Sequence, residues 1–229
     1  MNGIGYKIKK TILYILLILL SVVCMFPFLL MIVNATRSGS EIMKSFTLIP
    51  SVYLKENWAT VFKYFNLFLG MWNSLKVAVP STLLCAYFSA MTAYALAMYK
   101  FKGNKVLFMT ILIFMMIPGQ LGLIGFYNLC TKLHLVNSYI PLIIPAIASP
   151  GTVFFLRQYV LSVMPPSLIE AARIDGSGEF HTFNNIVLPL MKPAIAVQAI
   201  FTFVSSWNNY FVPALNLHND KKKTLLILI

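Results

Sequence analysis

Carboxylates and histidines are the side chains most often used in acid–base chemistry, and this chain of 229 residues has few of either. Half of its six acidic residues lie in one polar stretch, residues 164–193. Glu170 in that stretch could act as a general base, but no nucleophile or acid accompanies it. We therefore predict a helix-capping role for Glu170. The three histidines are too far apart in sequence to suggest a ligand set: His134, His181 and His218.

Motifs that carry catalytic chemistry are absent from the sequence. It has no GxxxxGK[ST] loop to hold the phosphates of ATP. It also lacks HExxH, GxSxG and any cluster of acidic residues suited to a metal. The three cysteines have no CxxC spacing and lie in apolar segments, which is typical of small buried side chains: Cys24, Cys85 and Cys130. The sequence thus predicts no enzyme activity, metal or cofactor in this chain.

Amides and aromatic rings cluster near the end of an apolar segment, at Trp207, Asn208, Asn209 and Tyr210. Amides bind hydroxyl groups and aromatic rings pack on sugar ring faces, so these residues are candidates for a substrate path. The alternative is an aromatic belt at the membrane surface together with amides that pack helices.

The pattern of residues in the polar stretch 164–193 predicts two short helices, and these helices would hold its three carboxylates in place. Two prolines at 165–166 end the preceding segment. Ser167 with Glu170 three residues later forms a capping-box pattern, which predicts a helix to about Asp175. Gly176 is expected to end that helix in the left-handed conformation. Ser177 is then expected to cap a second helix over 178–186.

Composition indicates a membrane protein with several spans. The chain is 59% hydrophobic and only 10% charged, whereas soluble domains carry about 25% charged residues. The net charge is +12, which could suggest nucleic acid. Against that, the helical stretch 164–193 has more acidic than basic residues and could not neutralise phosphates. The basic excess is better suited to flanks that lie beside anionic lipid.

Apolar runs predict an all-α polytopic membrane protein with a single transmembrane domain, residues 1–229. A span needs about 20 apolar residues. The Ser89, Ala93 and Ala97 spacing predicts close helix packing. We also expect breaks at Pro118, at Pro145 and at Ser149-Pro150-Gly151. The five predicted spans are residues 12–33, 74–99, 106–127, 139–162 and 189–215, with residues 164–188 forming a loop between the last two.

The polar stretch resembles the EAA loop of the permease subunits of ABC importers. The resemblance rests on Glu170-Ala171-Ala172, Asp175-Gly176, Phe183, Ile186, Leu188-Pro189 and Pro193. In that family the loop lies in the cytoplasm and docks into a groove of the ATP-binding subunit. The resemblance therefore implies that residues 164–188 are a cytoplasmic coupling loop. Its implied ATPase-docking residues are Glu170, Ala171, Ala172, Asp175 and Gly176.

Further motifs are similar to the carbohydrate, maltose-type branch of that family. They are Asn73-Ser74-Leu75, Ala93 to Ala97, Ile117 to Gln120, Phe155 to Gln158 and Trp207-Asn208-Asn209. The resemblance implies an importer for a sugar or oligosaccharide. Its implied partners are an ATP-binding subunit dimer, a sister permease and an extracellular solute-binding protein, with ATP bound by those partners. It also implies a sixth span, so we expect this sequence to be a truncation or fragment.

Orientation is not decided by charge, because lysines and arginines are equally numerous on the two proposed sides. Acid-free basic clusters near residues 7–10 and 100–105, together with the resemblance, predict a cytoplasmic N-terminus in a bacterial cell membrane. Two alternatives stay open. One is an ABC permease for a phosphorylated polyol, amino acid or peptide. The other is an ion-coupled secondary transporter. That class often has an ionisable group within a span, whereas no Asp, Glu, Lys or Arg lies well inside any of the predicted spans, which weighs against it.

Overall fold

The computed structural model describes residues 4–229, and every regular element within them is helical, as the sequence predicts. The chain divides into two compact units, residues 1–66 and 67–229. Between residues 4 and 229, three helices are long and apolar enough to cross a membrane. The number rises to five if two sharply bent helix pairs each count as one span.

The first unit begins with α1 (Ile4–Ala35), which is apolar over its whole length. None of its most apolar 18-residue window is buried. An isolated helix of this composition is stable in lipid, where its backbone groups bond to one another and its side chains contact acyl chains. The predicted span 12–33 lies within it.

After α1 the chain folds around a buried arginine, followed by α2 (Gly39–Lys44) and α3 (Leu54–Tyr64). Arg37 is only 4% exposed. Its guanidinium donates to the carbonyl oxygens of Glu41 at 2.7 Å and Ser45 at 2.9 Å. These bonds satisfy a buried charge within the segment that follows the apolar helix.

The second unit is built on α4 (Leu67–Met98), a continuous helix of 32 residues. It begins before the predicted start at residue 74 and contains Lys76. The Lys76 ammonium lies 5.6 Å from the Trp72 ring centroid. The helix can continue through Lys76 because the long aliphatic stem of lysine lets the ammonium group reach the membrane surface.

The region predicted as the third span, 106–127, forms two helices instead of one. These are α5 (Asn104–Met115) and α6 (Leu123–Lys132), joined by a 3₁₀ turn at Gly119–Gly122. The helix axes before and after the break differ by 89°. Pro118 lacks an N–H and cannot continue the hydrogen-bond ladder, which explains the break at the expected place.

A broken helix follows in the region predicted as the fourth span. Its parts are α7 (Ile140–Ile143), a 3₁₀ turn at Ile144–Ile147, and α8 (Pro150–Val163). The interruptions coincide with Pro145 and Pro150, as the sequence predicts.

The last third of the chain contains the coupling loop and the helices after it. The loop helices are α9 (Pro166–Ile174), α10 (Glu179–Thr182) with a π-helical turn at Phe183–Val187, and α11 (Leu188–Leu190). The chain then bends by 79° into α12. The remaining helices are α12 (Lys192–Trp207), α13 (Phe211–Asn216) and α14 (Leu225–Leu228).

The core of the second unit lies where α4 packs along α8 and α12. Ser89, Ala90 and Ala93 on α4 are completely buried, and so is Leu156 on α8. Small side chains allow the helix backbones to approach closely, which is the main source of packing energy between helices in lipid. The predicted small-residue face of α4 is therefore confirmed at Ser89 and Ala93, whereas Ala97 is only partly buried.

The two ends of α4 contact different loops. Near its start, the buried Asn73 amide donates to the carbonyl oxygens of Lys221 at 2.9 Å and Lys223 at 3.0 Å. The Ser74 hydroxyl accepts from the Leu225 N–H at 2.9 Å. At the other end, Tyr99 contacts the coupling loop. A 32-residue helix spans about 48 Å at 1.5 Å per residue, so α4 joins opposite faces of the unit.

Candidate functional site

Helix α9, which carries most of the predicted docking residues, begins two residues earlier than the sequence predicts. Its N-cap is Pro165, with no side-chain cap, and Pro166 occupies the first helical position. The predicted capping box of Ser167 and Glu170 is therefore wrong. Proline has no N–H to satisfy, and its fixed φ suits the first turn, so the helix starts without the serine cap.

Gly176 ends α9 as predicted. Its φ is +79°, in the left-handed region. The Gly176 N–H donates to the Arg173 carbonyl at 3.0 Å, and the Ser177 N–H donates to the Ala172 carbonyl at 2.9 Å. This pair of bonds is the Schellman motif, which satisfies the last carbonyls of a helix. The motif sets a fixed turn between the two loop helices.

The second loop helix is capped differently from the prediction. Gly178, not Ser177, is the N-cap of α10. The Ser177 hydroxyl instead shares a 2.8 Å hydrogen bond with the buried hydroxyl of Thr182. The predicted helix 178–186 is also interrupted by the π-helical turn at Phe183–Val187. Such turns are frequent at functional sites.

The coupling loop presents a mixed polar and apolar surface. Among the predicted docking residues, Glu170, Ala171, Asp175 and Gly176 are exposed, whereas Ala172 is buried against the core. The structure adds two large apolar side chains to this surface, Ile174 at 86% and Phe180 at 67% exposure. Sequence reasoning missed both, although apolar residues within the most polar stretch of the chain are a usable signal. The surface offers apolar anchors beside the carboxylates.

A three-residue clamp fastens the coupling loop to the end of α4. The Tyr99 hydroxyl donates to one Glu179 carboxylate oxygen, and the Arg173 Nε donates to the other at 2.8 Å. The Arg173 guanidinium lies 5.3 Å from the Tyr99 ring centroid. The Tyr99 and Arg173 hydrogen bonds hold the pKa of Glu179 below its ordinary value. The stabilisation from this carboxylate is therefore present above its ordinary pKa and is lost as the pH falls through the lowered value.

Replacing Tyr99 with Phe should loosen this clamp. The change removes one hydrogen bond to a half-exposed carboxylate, worth about 0.5–1.5 kcal/mol. A double-mutant cycle with Glu179→Gln, read as the thermal stability of the purified protein, should show coupling between the two changes. Tyr64→Phe is the matched control, because Tyr64 is exposed and lies in the other unit. Strictly additive effects would contradict the clamp.

Aromatic packing forms the second attachment of the loop to α4. Phe183 is 2% exposed and stacks on the Tyr94 ring at a centroid distance of 5.9 Å. It meets the edge of the Tyr87 ring at 5.6 Å. The Tyr87 hydroxyl in turn donates to the Asn184 side-chain oxygen at 3.2 Å. The π-helical turn is thus held against α4 by rings and by a hydrogen bond.

A cavity of about 700 Å³ lies between α4, α8, α12 and the broken helices. Its size is that of a site for a small organic molecule. Two helix breaks border it, through Gly119 and Gly122 on one side and Ala148 to Gly151 on the other. Irregular backbone at membrane depth is stable where it lines a cavity, because its polar groups then have partners other than lipid.

Hydroxyl and amide groups supply the polarity of the cavity wall. Cys85 Sγ lies 3.7 Å from the hydroxyl oxygen of Thr152 and 3.6 Å from that of Thr202. Ser149 donates to Thr152 at 2.8 Å. Among the lining residues that the structure describes, none is Asp, Glu, Lys, Arg or His. The wall can bind hydroxyl groups and offers no formal charge to neutralise an ion.

The structure places the predicted substrate-path residues in two environments. Asn209 lines the cavity, whereas Trp207, Asn208 and Tyr210 are outside its lining. The Trp207 ring stacks on Phe203 of the same helix, with centroids 5.8 Å apart. Residues beyond the predicted set complete the polar wall on α12 and were missed by sequence reasoning: Gln198, Thr202, Ser205 and Ser206. These polar residues recur three or four positions apart, which places them on one face of a helix, and this periodicity could have predicted a polar face on α12.

Residues 83–219 match the family model described as "Binding-protein-dependent transport system inner membrane component". The arabinooligosaccharides transport system permease protein AraQ of Bacillus subtilis is 35% identical, over 97% of this chain and 79% of the relative. The lactose transport system permease protein LacG of Rhizobium radiobacter is 28% identical, over 100% and 83%.

The fold is also similar to that of a solved structure. It is the crystal structure of a bacterial ABC transporter that imports the acidic polysaccharide alginate. A chain of that transporter superposes with a TM-score of 0.81 at 22% sequence identity, covering 98% of this chain and 80% of its own.

Proposed function

This chain belongs to the family of binding-protein-dependent transport system inner membrane components, and we propose that it is the subunit through which an ATP-driven importer passes a neutral sugar or oligosaccharide. The cavity wall is the observation that carries the choice of cargo. It combines an amide at Gln198 with hydroxyls at Thr202 and Ser205, and it has no ionisable side chain among the described lining residues. Hydroxyl-rich, uncharged molecules suit such a wall.

The relatives support this cargo class, since AraQ and LacG bear the names of arabinooligosaccharide and lactose transporters. The solved relative imports an acidic polysaccharide, so the shared fold alone does not select neutral cargo. An anionic cargo would lose its hydration in the cavity with no cationic side chain to replace it. We therefore place phosphorylated polyols and acidic sugars second.

The coupling loop would transmit the work of ATP hydrolysis. We infer that Glu170, Ala171, Ala172, Asp175 and Gly176 dock on an ATP-binding subunit, with Ile174 and Phe180 as apolar anchors. Support comes from the exposed surface of the loop and from its two attachments to α4, the helix that also lines the cavity. A movement of the docked loop would then reach the cavity wall through α4. In this arrangement the loop faces the cytoplasm.

The complete importer would contain a sister permease and an extracellular solute-binding protein. The N-terminus would be cytoplasmic, and the loop that Asn73 ties to the start of α4 would lie on the outer side. Trp207, Asn208, Asn209 and Tyr210 would form the outer part of the path, and Asn209 would be the member that reaches the cavity.

Uptake by the assembled importer in proteoliposomes tests the proposal. Gln198→Leu and Thr202→Val remove polar groups from the cavity wall at similar side-chain volume. Each should slow uptake of a neutral oligosaccharide roughly three- to tenfold, the equivalent of one lost hydrogen bond. Ser162→Ala is the matched control, because Ser162 is an exposed residue of α8 outside the cavity lining.

Transport of glycerol 3-phosphate in preference to every neutral sugar would contradict the proposed cargo. Unchanged uptake in both cavity variants would contradict the proposed path. An assembly that hydrolyses ATP without moving any solute would contradict the importer function itself.

A further inference from the structure

A second cavity, of about 620 Å³, lies at the end of α4 that carries the coupling loop. Four cationic side chains line it, and we call it the basic pocket: Lys100, Lys102, Lys105 and Arg157. No Asp or Glu is among its described lining residues. Glu179 contacts the lining residue Tyr99, but this carboxylate is already paired with Arg173. The pocket therefore concentrates positive charge that the described residues do not neutralise.

The turn that forms the basic pocket is held in place by hydrogen bonds. Gly103 adopts φ +95°, which reverses the chain between α4 and α5. The Asn104 amide donates to the carbonyl oxygens of Leu96 at 3.2 Å and Tyr99 at 2.8 Å. Arg157 Nε donates to the same Leu96 carbonyl at 3.3 Å. The carbonyl oxygens of Leu96, in the last turn of α4, and of Tyr99, just after it, thus have hydrogen-bond partners within the turn.

Arg157 is oriented as a recognition group for an anion. Its guanidinium carbon lies 4.0 Å from the Phe108 ring centroid, so the ring fixes its plane. Within residues 4–229, its two terminal nitrogens have no hydrogen bond or ion pair with the protein. A fixed guanidinium with free donors matches the geometry of a phosphate group.

The surface next to the basic pocket identifies the source of that phosphate. Helix α5 leaves the pocket with no buried residue, and most of its apolar side chains are exposed. Val106 is 68% exposed and Ile113, two turns further along, is 61% exposed. A cationic pocket that continues into a bare apolar helix side matches a molecule with an anionic head and hydrocarbon tails. A soluble phosphate or an acidic protein surface would use only the first half of this site.

We propose that the basic pocket binds the phosphate of an anionic glycerophospholipid, whose acyl chains lie along the exposed side of α5. The bound lipid would pack beside the turn that precedes α5 and the Tyr99 end of α4. It would therefore stabilise the same helix end to which the coupling loop is fastened.

Native mass spectrometry of the assembled importer in detergent tests this site. Phosphatidylglycerol and phosphatidylcholine are added separately at equal concentrations. The unchanged protein should retain phosphatidylglycerol in preference to phosphatidylcholine. Lys102→Gln and Lys105→Gln should each weaken phosphatidylglycerol retention about fivefold, because each cation near a membrane surface contributes on the order of 1 kcal/mol. Both lysines are exposed, so neither change disturbs the core.

Lys221→Gln is the matched control, since it removes the same charge from an exposed residue outside the basic pocket. Equal losses in the control and the pocket variants would overturn the proposal in favour of diffuse electrostatic attraction. Equal retention of the two lipids would also overturn it. A third arm adds inorganic phosphate, once without lipid and once with phosphatidylglycerol. If phosphate binds without lipid and also displaces phosphatidylglycerol, the proposal is overturned and the pocket is a site for a soluble anion. If the Lys102→Gln and Lys105→Gln importers lose the ATP-binding subunit but retain phosphatidylglycerol unchanged, the proposal is overturned and the pocket is a contact with that subunit.

Discussion

Replacing Phe183 with alanine is expected to detach the coupling loop from α4. The ring is almost fully buried and is held between Tyr94 and Tyr87. Truncating a buried phenylalanine costs about 3–5 kcal/mol, because the packing of the ring is lost and a cavity remains. This exceeds what the exposed clamp at Glu179 can supply, so the clamp alone should not keep the loop in place.

The Phe183→Ala importer should therefore insert normally yet lose ATP-binding subunits during purification, and uptake should fall in parallel. Subunit stoichiometry and solute-stimulated ATP hydrolysis are the measurements. Phe180→Ala is an informative comparison three residues away, since Phe180 is 67% exposed. That variant should keep the loop attached, and any loss it shows would report on the docking surface itself. An intact, fully stimulated Phe183→Ala complex would exclude the aromatic attachment as the main support.

Replacing Gly176 with valine is the second change expected to abolish coupling. At φ +79° a β-branched residue is strained, at a cost on the order of 1–2 kcal/mol. A Cβ at this position would meet no heavy atom within 4 Å, so the expected cost comes from the backbone conformation and not from a clash of the Cβ. The chain can relieve the strain only by changing the angle between α9 and α10. Glu170 and Ala171 would then move out of register with the groove of the ATP-binding subunit on which we propose that they dock.

Two further variants separate backbone strain from side-chain size at this turn. Gly176→Asn should preserve most activity, because asparagine tolerates the left-handed region. Gly178→Ser should be nearly neutral, because Gly178 has φ −69° and serine is a good N-cap residue. Membrane insertion, ATP-binding subunit retention and uptake would be measured for all three. A Gly176→Val importer that retains its partners and its uptake would rule out this glycine as the hinge of the loop.

Local sequence signals determined the helical elements and most of their breaks. Apolar runs of about 20 residues predicted membrane helices because the bilayer leaves backbone groups no other partners. Proline positions predicted the breaks near residues 118 and 145, since proline cannot donate to the helix ladder. Gly176 was predicted correctly because a left-handed residue at a helix end is a local requirement. The family resemblance, carried by residues close together in sequence, was sufficient to predict the importer class.

Tertiary structure decided which residues face the cavity and how the coupling loop is attached. Asn209 lines the cavity, whereas its neighbours Asn208 and Tyr210 do not. The two asparagines have the same side chain, so residue type alone could not tell which of them faces the cavity. The clamp between Tyr99 and Glu179 joins residues 80 positions apart. Such contacts depend on the angles at which helices cross and bend, and those angles result from packing summed over α4, α8 and α12. No short stretch of sequence contains that information, because each helix buries its face only against the others.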